Sequence, residues 1–348
     1  MTKIDDPFHT FVIAEAGSNW KAGSFEEDLH RAKQLIDVAS QKGADAIKFQ
    51  TYKSETVFVP EAGKIDYLLK KGINDSINEI FDNLSMPYEM IPTLHDYCKQ
   101  KKIQFMSTPF SISDAKALDP YVEIHKIASF EINHVRLLEF LAKTGKPILI
   151  STGASSYDEI DFAVNIVQNA GNDQIGLLQC TSKYPAPIES LNLSAIPNMK
   201  SRYKIPIGFS DHSMDPLIGP LMGIGFGATF VEKHFTLDRN LPGPDHPFAL
   251  NPDELGLMID SIRKADLAKG DGSKNVQEIE EELYRVGKRA IQAIKDIKKG
   301  DKLMEGTNFE ILRPGMRTRG IEPRFLSDIE GKTATKDIPL GEGITEYE

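Results

Sequence analysis

The sequence predicts a (β/α)₈ barrel followed by a small, mostly β domain. Three observations lead to this fold class: short apolar runs recur along the first 270 residues, amphipathic helical stretches separate them, and the composition changes after Lys269. Apolar strands with helices between them indicate a parallel sheet covered on both faces. Eight such units in about 250 residues match the barrel. A doubly wound open sheet is the alternative.

The candidate strands are short and are followed by polar residues. They are 11–16, 44–50, 103–107, 122–128, 147–151, 174–180, 205–210 and 228–233. Helical patterns cover 25–42, 87–102, 157–170 and 252–269, with Ser85 as the candidate N-cap of the second. Connections as long as 52–84 are usually functional lids, binding loops or disordered segments, and we expect a short helix around 64–70.

The domain boundaries follow from the change in composition. We expect the barrel at 1–270, a charged linker at 271–286 and the β domain at 287–348, where glycines punctuate short apolar runs. A domain of about 60 residues is marginally stable alone and is expected to dock on another surface.

Composition and charge exclude several classes of protein. The net charge of −10 argues against a nucleic-acid surface, but a local lysine cluster can still bind an anionic substrate. The apolar runs are too short to span a membrane, and no export signal opens the chain. Cys98 and Cys180 lie far apart, so a disulfide framework is not expected and both cysteines are interpreted as structural. These features predict a cytoplasmic protein.

Two histidines follow the last two strands of the predicted barrel. His212 and His234 would lie roughly 5 Å apart if these parallel strands are neighbours. Imidazoles bind divalent transition metals, and two protein ligands leave positions open for a Lewis-acid role. The alternative is two unrelated histidines hydrogen-bonded to carboxylates, and Asp211 is compatible with either arrangement.

Barrel enzymes carry their chemistry at the carboxyl ends of the strands. The strand ends here are rich in hydrogen-bonding groups, among them Glu15, Lys48, Gln50, Thr108, Lys126, Ser129, Glu131, Ser151, Ser182, Tyr184, Ser210, Asp211 and Lys233. Lysine ammonium groups and serine hydroxyls suit a phosphate or carboxylate held without a P-loop. Glu15 and Glu131 are candidates for acid–base chemistry or for binding sugar hydroxyls. The alternative for both is ion pairing with Lys48 or Lys126.

Taken together, the motifs resemble those of the sialic acid synthases. The resemblance rests on IAEAGSNWKAG, IKFQTY, STPFS, KIASFEI, ISTGAS, LLQCTSKYPAP, GFSDHS, EKHFTLD and GPDHPFAL. The C-terminal GKRAIQAIKDIKKGDKL and NFEILRPGMRTRGIEP resemble the antifreeze-like SAF domain of these proteins. Members of this nonulosonate synthase family condense phosphoenolpyruvate with an N-acetylated hexosamine.

The resemblance implies a role for each matching residue. It implies a divalent metal at His212 and His234, usually Mn²⁺, with Mg²⁺ or Co²⁺ as alternatives, and Glu15 as a catalytic glutamate near it. The phosphoenolpyruvate-binding positions are Lys48, Thr108, Lys126, Ser129, Ser151, Ser182 and Ser210. The amino-sugar positions are Gln50, Glu131, Tyr184, Asp245 and Arg313. Arg313 acts from the partner subunit in the family, which implies a domain-swapped homodimer.

The chain departs from the family pattern at two positions. Trp20 stands where the first motif usually has histidine, and an indole cannot ligate a metal. If the family histidine contacts the substrate, Trp20 would alter sugar specificity, for example by stacking against the sugar. Ser182 stands where some members have asparagine and can still donate to a phosphate.

The predicted reaction is condensation of phosphoenolpyruvate with N-acetylmannosamine or a related acylated hexosamine, with release of phosphate by C–O cleavage. The sequence leaves open N-acetylmannosamine, its 6-phosphate and the diacetamido-trideoxyhexoses. Two alternative functions remain: a phosphoenolpyruvate-dependent aldol synthase acting on a phosphorylated aldose, and a non-catalytic sugar-binding protein.

Overall fold

The computed structural model describes residue 6, residues 8–64 and residues 75–348. The chain divides into two compact units, Met1–Gly270 and Asp271–Glu348. Within the described residues, no helix has the length and apolarity needed to cross a bilayer. Most of the short helix expected around 64–70 lies outside the described residues.

The first unit is built on an eight-stranded parallel sheet. Its strands are β1 (Phe11–Gly17), β2 (Ala46–Thr51), β3 (Gln104–Pro109), β4 (His125–Ile127), β5 (Ile148–Ser151), β6 (Ile175–Cys180), β7 (Ile207–Asp211) and β8 (Phe230–His234). Their order is β3-β2-β1-β8-β7-β6-β5-β4, so the first and last strands pair with each other. The (β/α)₈ prediction is therefore confirmed, and the open-sheet alternative is wrong.

Helices cover the outside of this sheet. They are α1 (Phe25–Gln41), α2 (Ser54–Val57), α3 (Ile77–Leu84), α4 (Met90–Lys101), α5 (Ile112–Leu118), α6 (Val135–Ala142), α7 (Tyr157–Asn169), α8 (Ala195–Tyr203), α9 (Ile218–Gly225) and α10 (Pro252–Lys269). Capping boxes at Ser24, Ser156 and Asn251 fix the starts of α1, α7 and α10.

The predicted cap at Ser85 is wrong. Helix α4 begins at Met90, and no side chain caps its N-terminus. Ser85 instead follows α3, and its Oγ donates to the carbonyl of Phe81 at 2.8 Å. The reason is a turn after Pro87, whose carbonyl accepts from the Met90 N–H at 3.0 Å, so the helix starts later than the proline suggested.

Apolar side chains fill the interior of the barrel near the amino ends of the strands. This inner cluster consists of Phe11, Ile13, Ala46, Met106, Ile124, Leu149, Leu178 and Phe230. Gly208 leaves space for the Phe230 ring, since a Cβ there would lie 2.6 Å from the Phe230 carbonyl oxygen. The packed cluster closes one end of the barrel, and polar side chains occupy the other end.

Strand register brings the polar residues to one level. Glu15 pairs in register with Lys48 of β2 on one side and with His234 of β8 on the other. Between β7 and β8, Ser210 lies opposite Glu232. Because all eight strands are parallel, their carboxyl ends meet at the same end of the barrel, which places these groups around one opening.

The second unit contains α11 (Glu281–Gly287), an antiparallel pair of β9 (Ala290–Ala293) and β10 (Phe309–Leu312), and α12 (Leu326–Ile329). Isolated bridges such as Ile297 with Ile338 extend the β structure. Its own apolar core is Ile291, Ala293, Ile297, Leu303, Phe309, Ile329, Ala334, Ile338 and Ile344. This small, mostly β unit confirms the second part of the fold prediction.

Candidate active site

A cavity lies at the carboxyl ends of the barrel strands. It gathers most of the residues that the sequence singled out: Glu15, Lys48, Gln50, Thr108, Lys126, Ser129, Ser151, Tyr184, Ser210, His212 and His234. These side chains come from all eight strands or the loops that follow them. Their convergence is what the barrel predicts for a reaction site.

Two buried lysines form the positive part of the cavity. Lys48 Nζ donates to Thr108 Oγ1 at 3.0 Å. Lys126 Nζ donates to Ser151 Oγ at 2.6 Å and to the Ile127 carbonyl at 3.0 Å. Each ammonium group therefore has a hydroxyl beside it, and this arrangement suits an anion bound by charge and by hydrogen bonds.

Two buried carboxylates balance these lysines. Lys48 Nζ lies 2.7 Å from Glu15 Oε2 and 3.7 Å from Glu232 Oε1, while Lys126 Nζ lies 3.9 Å from Glu232 Oε2. Glu15 also accepts from Gln50 Nε2 at 3.0 Å. The ion-pairing alternative for Glu15 is therefore realised with Lys48, and the pair lies inside the cavity.

The two carboxylates differ in proton affinity. Burial raises the pKa of Glu15 to about 7, although Lys48 acts in the opposite direction. Burial would also raise the pKa of Glu232, but Lys126 and Lys48 together lower it to about 2. Near neutral pH, Glu15 can gain or lose a proton while Glu232 stays ionised. Pairs of carboxyl groups separated in this way are typical of acid–base sites.

The two histidines lie beside each other at the opening. Their ring centroids are 5.6 Å apart with an interplanar angle of 67°. His212 Nδ1 lies 2.8 Å from the Thr181 carbonyl, so this nitrogen carries a proton, and in the neutral ring Nε2 has a free lone pair. His234 Nδ1 is buried and has no hydrogen-bond partner among the described residues. Burial holds the pKa of His234 well below its usual value, which favours the neutral, ligating form.

These residues fit a divalent metal ion as a two-histidine site. No group of three or more His, Cys, Asp or Glu side chains that could hold a metal occurs within the described ranges. The protein would therefore supply two imidazoles, and the hydrogen bond from His212 to a carbonyl is the kind that orients metal-ligating histidines. Substrate or water would complete the coordination.

Aromatic rings form a wall beside the histidines. The Tyr184 ring lies on His212 with 4.2 Å between centroids and a tilt of 32°. Phe248 contacts both Tyr184 and His234, at 5.3 and 5.0 Å between centroids. The wall restricts where both imidazoles can point and gives an apolar surface for the carbon skeleton of a ligand.

Three predicted site residues in the barrel unit lie outside the cavity lining. The Oγ of Ser182 is buried. A side chain added at Gly153 would collide with this atom and with Ser129 Oγ. Glu131 is buried, and burial raises its pKa to about 7. Asp245 accepts from the Ser18 N–H at 3.2 Å and from Ser18 Oγ at 2.9 Å.

Arg313 lies in the second unit, directly after β10, with an exposed side chain.

The predicted stacking of Trp20 on a sugar does not agree with the structure. Trp20 is fully buried in the apolar layer that includes Ala16 and Phe235. A large indole is more stable there than at the polar opening, because its apolar surface is removed from water.

Four residues of the cavity were not predicted from the sequence, and two residues at strand ends point away from it. Phe110, Ala128 and Glu232 were not singled out, and Cys180, expected to be structural, lines the cavity with its Sγ 3.8 Å from His212 Nδ1. Side chains alternate between the two faces of a strand. Since His234 points inward, the same alternation places Glu232 inward and Lys233 outward, and Asp211 opposite Lys233 is likewise directed away from the cavity.

Known proteins resemble this chain along almost its whole length. It is 39% identical to the spore coat polysaccharide biosynthesis protein SpsE of Bacillus subtilis (strain 168), covering 96% of this chain and 92% of that protein. It is 37% identical to the N,N'-diacetyllegionaminic acid synthase of Campylobacter jejuni, covering 97% and 99%. The crystal structure of a sialic acid synthetase from Leptospira borgpetersenii, in complex with citrate, matches with a TM-score of 0.70 and 35% identity, covering 80% and 92%.

The fold and cavity define a barrel enzyme with a buried lysine pair, a carboxylate of raised pKa and a histidine pair. Family models match residues 35–274 as the NeuB family and residues 288–346 as a SAF domain. The chain belongs to the NeuB family of nonulosonate synthases and carries a SAF domain, so the resemblance and the prediction of an enzyme are both confirmed.

Proposed function

We propose that this enzyme condenses phosphoenolpyruvate with an N-acylated hexosamine and releases inorganic phosphate. The observation that carries the proposal is the composition of the cavity. Lys48, Lys126 and their hydroxyl neighbours come from β2 to β5, and the histidines come from the ends of β7 and β8. An anion site at the lysines and a site for an electrophilic carbonyl at the histidines therefore lie in the same cavity.

The lysine side of the cavity is the binding site for phosphoenolpyruvate. Lys48 and Lys126 are both nearly fully buried, so their charges are weakly screened by solvent. Ser129, Ser151 and Ser210 supply hydroxyl donors on the same side, and Ser182 lies next to them behind Gly153. A phosphate and a carboxylate on one small molecule can use both ammonium groups at once.

The histidine side binds the acceptor carbonyl. A divalent ion held by His212 and His234, with Mn²⁺ as the first choice and Mg²⁺ or Co²⁺ as alternatives, would act as a Lewis acid toward the sugar aldehyde. Tyr184 and Phe248 pack against the two imidazoles and keep bulk water from that side. Gln50, Glu131, Tyr184 and Asp245 are the proposed sugar contacts of the barrel.

The bond changes follow from this placement. C3 of phosphoenolpyruvate attacks the aldehyde carbon of the open-chain sugar, and positive charge develops at C2. Water adds at C2, and Glu15 takes a proton from that water. Glu15 returns this proton to the aldehyde oxygen, which becomes a hydroxyl group. The C–O bond to phosphate then breaks while the new C2 hydroxyl gives its remaining proton to the departing phosphate, which leaves the keto group of the product and inorganic phosphate. Fixed charge on Lys48 and Lys126 stabilises the phosphoryl group throughout, and such preorganised electrostatics are usually the largest catalytic contribution.

Two further parts of the proposal concern assembly and compartment. Arg313 of the second unit contacts the N-acyl group of a sugar that is bound by the other chain of a domain-swapped homodimer. Its exposed position on the second unit is compatible with that role. Both cysteines are unpaired, which fits catalysis in a reducing compartment such as the cytoplasm.

The proposal is tested by measuring phosphate release from phosphoenolpyruvate with a panel of sugars and by weighing the products. The panel contains N-acetylmannosamine, its 6-phosphate and a 2,4-diacetamido-trideoxyhexose. We place the last one first, because a relative covering 97% of this chain carries the name of a diacetyllegionaminic acid synthase. A product mass equal to sugar plus pyruvate is expected. Activity with erythrose or arabinose phosphates alone, or calorimetric sugar binding without phosphate release, would overturn it.

A further inference from the structure

Lys233 is a buried cation that the cavity does not use. It lies on β8 between Glu232 and His234, which both line the cavity, but its own side chain points away from it. Only about 1% of Lys233 and of Asp211 is exposed. A lysine held inside the protein in this way needs acceptors for its charge.

The acceptors of Lys233 all belong to the segment around His212. Its Nζ donates to Asp211 Oδ2 at 2.7 Å, to the Ser213 carbonyl at 2.5 Å, to Ser213 Oγ at 3.2 Å and to the Asp215 carbonyl at 3.0 Å. Three ammonium protons are thus shared among four oxygen atoms. One side chain of β8 fixes the chain on both sides of His212.

The same segment is braced internally. Asp211 Oδ1 accepts from the Ser213 N–H at 2.8 Å, and Asp215 Oδ1 accepts from the N–H groups of Leu217 and Ile218 at 2.8 and 2.7 Å. Asp215 thereby joins the segment to the start of α9. Gly219 leaves room for this arrangement, because a Cβ there would lie 2.6 Å from Asp211 Oδ2.

We infer that Lys233 is a positioning residue that sets the place of the His212 imidazole by tying residues 211–215 to the strand that carries His234. Lys233 immediately precedes His234 in the chain, so adjacent residues of β8 fix the positions of both histidines. The distance between the two imidazoles then depends on one buried ammonium group. This inference rests on the proposed metal role of His212 and His234.

The test compares Lys233→Met with the unsubstituted chain. Methionine keeps an unbranched stem and loses the charge. We measure amide hydrogen exchange in peptides covering 212–218, Mn²⁺ affinity by electron paramagnetic resonance, and the melting temperature. Exchange of 212–218 is expected to rise, and Mn²⁺ affinity to fall about 10–100-fold, as for other residues that orient metal ligands.

The double variant Asp211→Asn/Lys233→Met guards against misfolding, since it removes the carboxylate that the single variant leaves buried without its cation. Both variants are expected to give the same loss of Mn²⁺ affinity.

Asp266→Asn is the matched control. Asp266 is buried at the amino end of β1, where it accepts from the Thr10 N–H and hydroxyl at 2.8 and 2.6 Å. Its substitution should lower the melting temperature and leave Mn²⁺ affinity unchanged.

The outcomes separate the inference from the proposed function. A folded Lys233 variant with unchanged exchange at 212–218 and unchanged Mn²⁺ affinity overturns the positioning role. If the unsubstituted chain binds no Mn²⁺, the metal part of the proposed function fails. Amide hydrogen exchange of 212–218 is then the one measurement that decides the role of Lys233. An equal loss of Mn²⁺ affinity in Asp266→Asn would also overturn the inference, because it would trace the effect to general destabilisation.

Discussion

Glu15 and Lys48 face each other on neighbouring strands, with 2.7 Å between Oε2 and Nζ and both side chains buried. The strand register that pairs them also pairs Glu15 with His234. Glu15 therefore stands between the proposed anion site and the proposed carbonyl site. Its pKa of about 7 allows it to carry a proton between the two near neutral pH.

Glu15→Gln should lower kcat by about 10²–10⁴, the usual contribution of a positioned acid or base. The carboxylate is the form that takes a proton from water, so the rate of the unsubstituted enzyme should rise as pH increases through about 7. Glutamine cannot ionise, and this limb of the pH profile should disappear. The measurement is phosphate release between pH 5 and pH 9 at a fixed concentration of metal.

Glu131→Gln is the control for that experiment. Burial raises the pKa of Glu131 to about 7 as well, but its side chain lies outside the cavity lining. The proposed role of Glu131 is sugar binding, so the substitution should raise KM for the sugar and keep the limb near pH 7. Loss of the limb in Glu131→Gln and not in Glu15→Gln would transfer the proton role to Glu131.

Lys126→Met should reduce kcat/KM for phosphoenolpyruvate by about 10²–10³. Lys126 is one of two ammonium groups in the cavity, and its bond to Ser151 would also be lost. The matched control is Lys298→Met in the second unit, which removes an exposed ion pair with Asp337 of 2.9 Å. Exposed ion pairs contribute little to stability, so this control should remain fully active.

Removal of divalent metal with a chelator should abolish condensation, and added Mn²⁺ should restore it. His212→Ala and His234→Ala should each remain inactive even at saturating Mn²⁺, because one imidazole is a poor site for the ion. Direct Mn²⁺ titration of both variants gives an independent check. Near-normal condensation by either alanine variant would rule out the two-histidine metal site.

Gly208→Ala should destabilise the barrel by about 1–3 kcal/mol, the usual cost of overpacking a core. The added methyl group would lie 2.6 Å from the Phe230 carbonyl oxygen, and a backbone atom cannot rotate away. Chemical denaturation of the purified variant measures the change. Gly287→Ala serves as the comparison, since nothing within 4 Å obstructs a Cβ at that position.

Mixing two inactive variants tests the proposed homodimer. Arg313→Ala removes the proposed N-acyl contact, and Glu15→Gln removes the proton acceptor of the barrel. If Arg313 acts on a site in the other chain, unfolding and refolding the two variants together should restore activity that neither has alone. If every site is built within one chain, the mixture should stay inactive.

The barrel was predictable because its strands are continuous apolar runs, and buried parallel strands give that pattern directly. The histidine pair could be predicted for the same reason, since consecutive strands are neighbours. The prediction for Ser85 was wrong because a serine followed by a proline indicates a helix start only if the helix begins directly after them. Here a turn comes between the proline and the helix.

Other parts of the site depend on contacts that sequence order does not contain. Asp245 and Ser18 lie in the loops that follow β8 and β1, which are neighbours in space and far apart in sequence. Trp20 was expected at the sugar because of a motif position, yet the sequence there does not reveal which face of the turn is buried. Glu232 is different: the two-residue alternation of β8 from His234 was sufficient to find it.

The pairing of β1 with β8 has a consequence for how the enzyme is made. During synthesis, Glu15 leaves the ribosome early, and its neighbour in the finished sheet, His234, is added only when the barrel is almost complete. No nascent fragment that stops before β8 can hold both groups. The barrel part of the proposed site is therefore completed in one late event, when β8 pairs with β1.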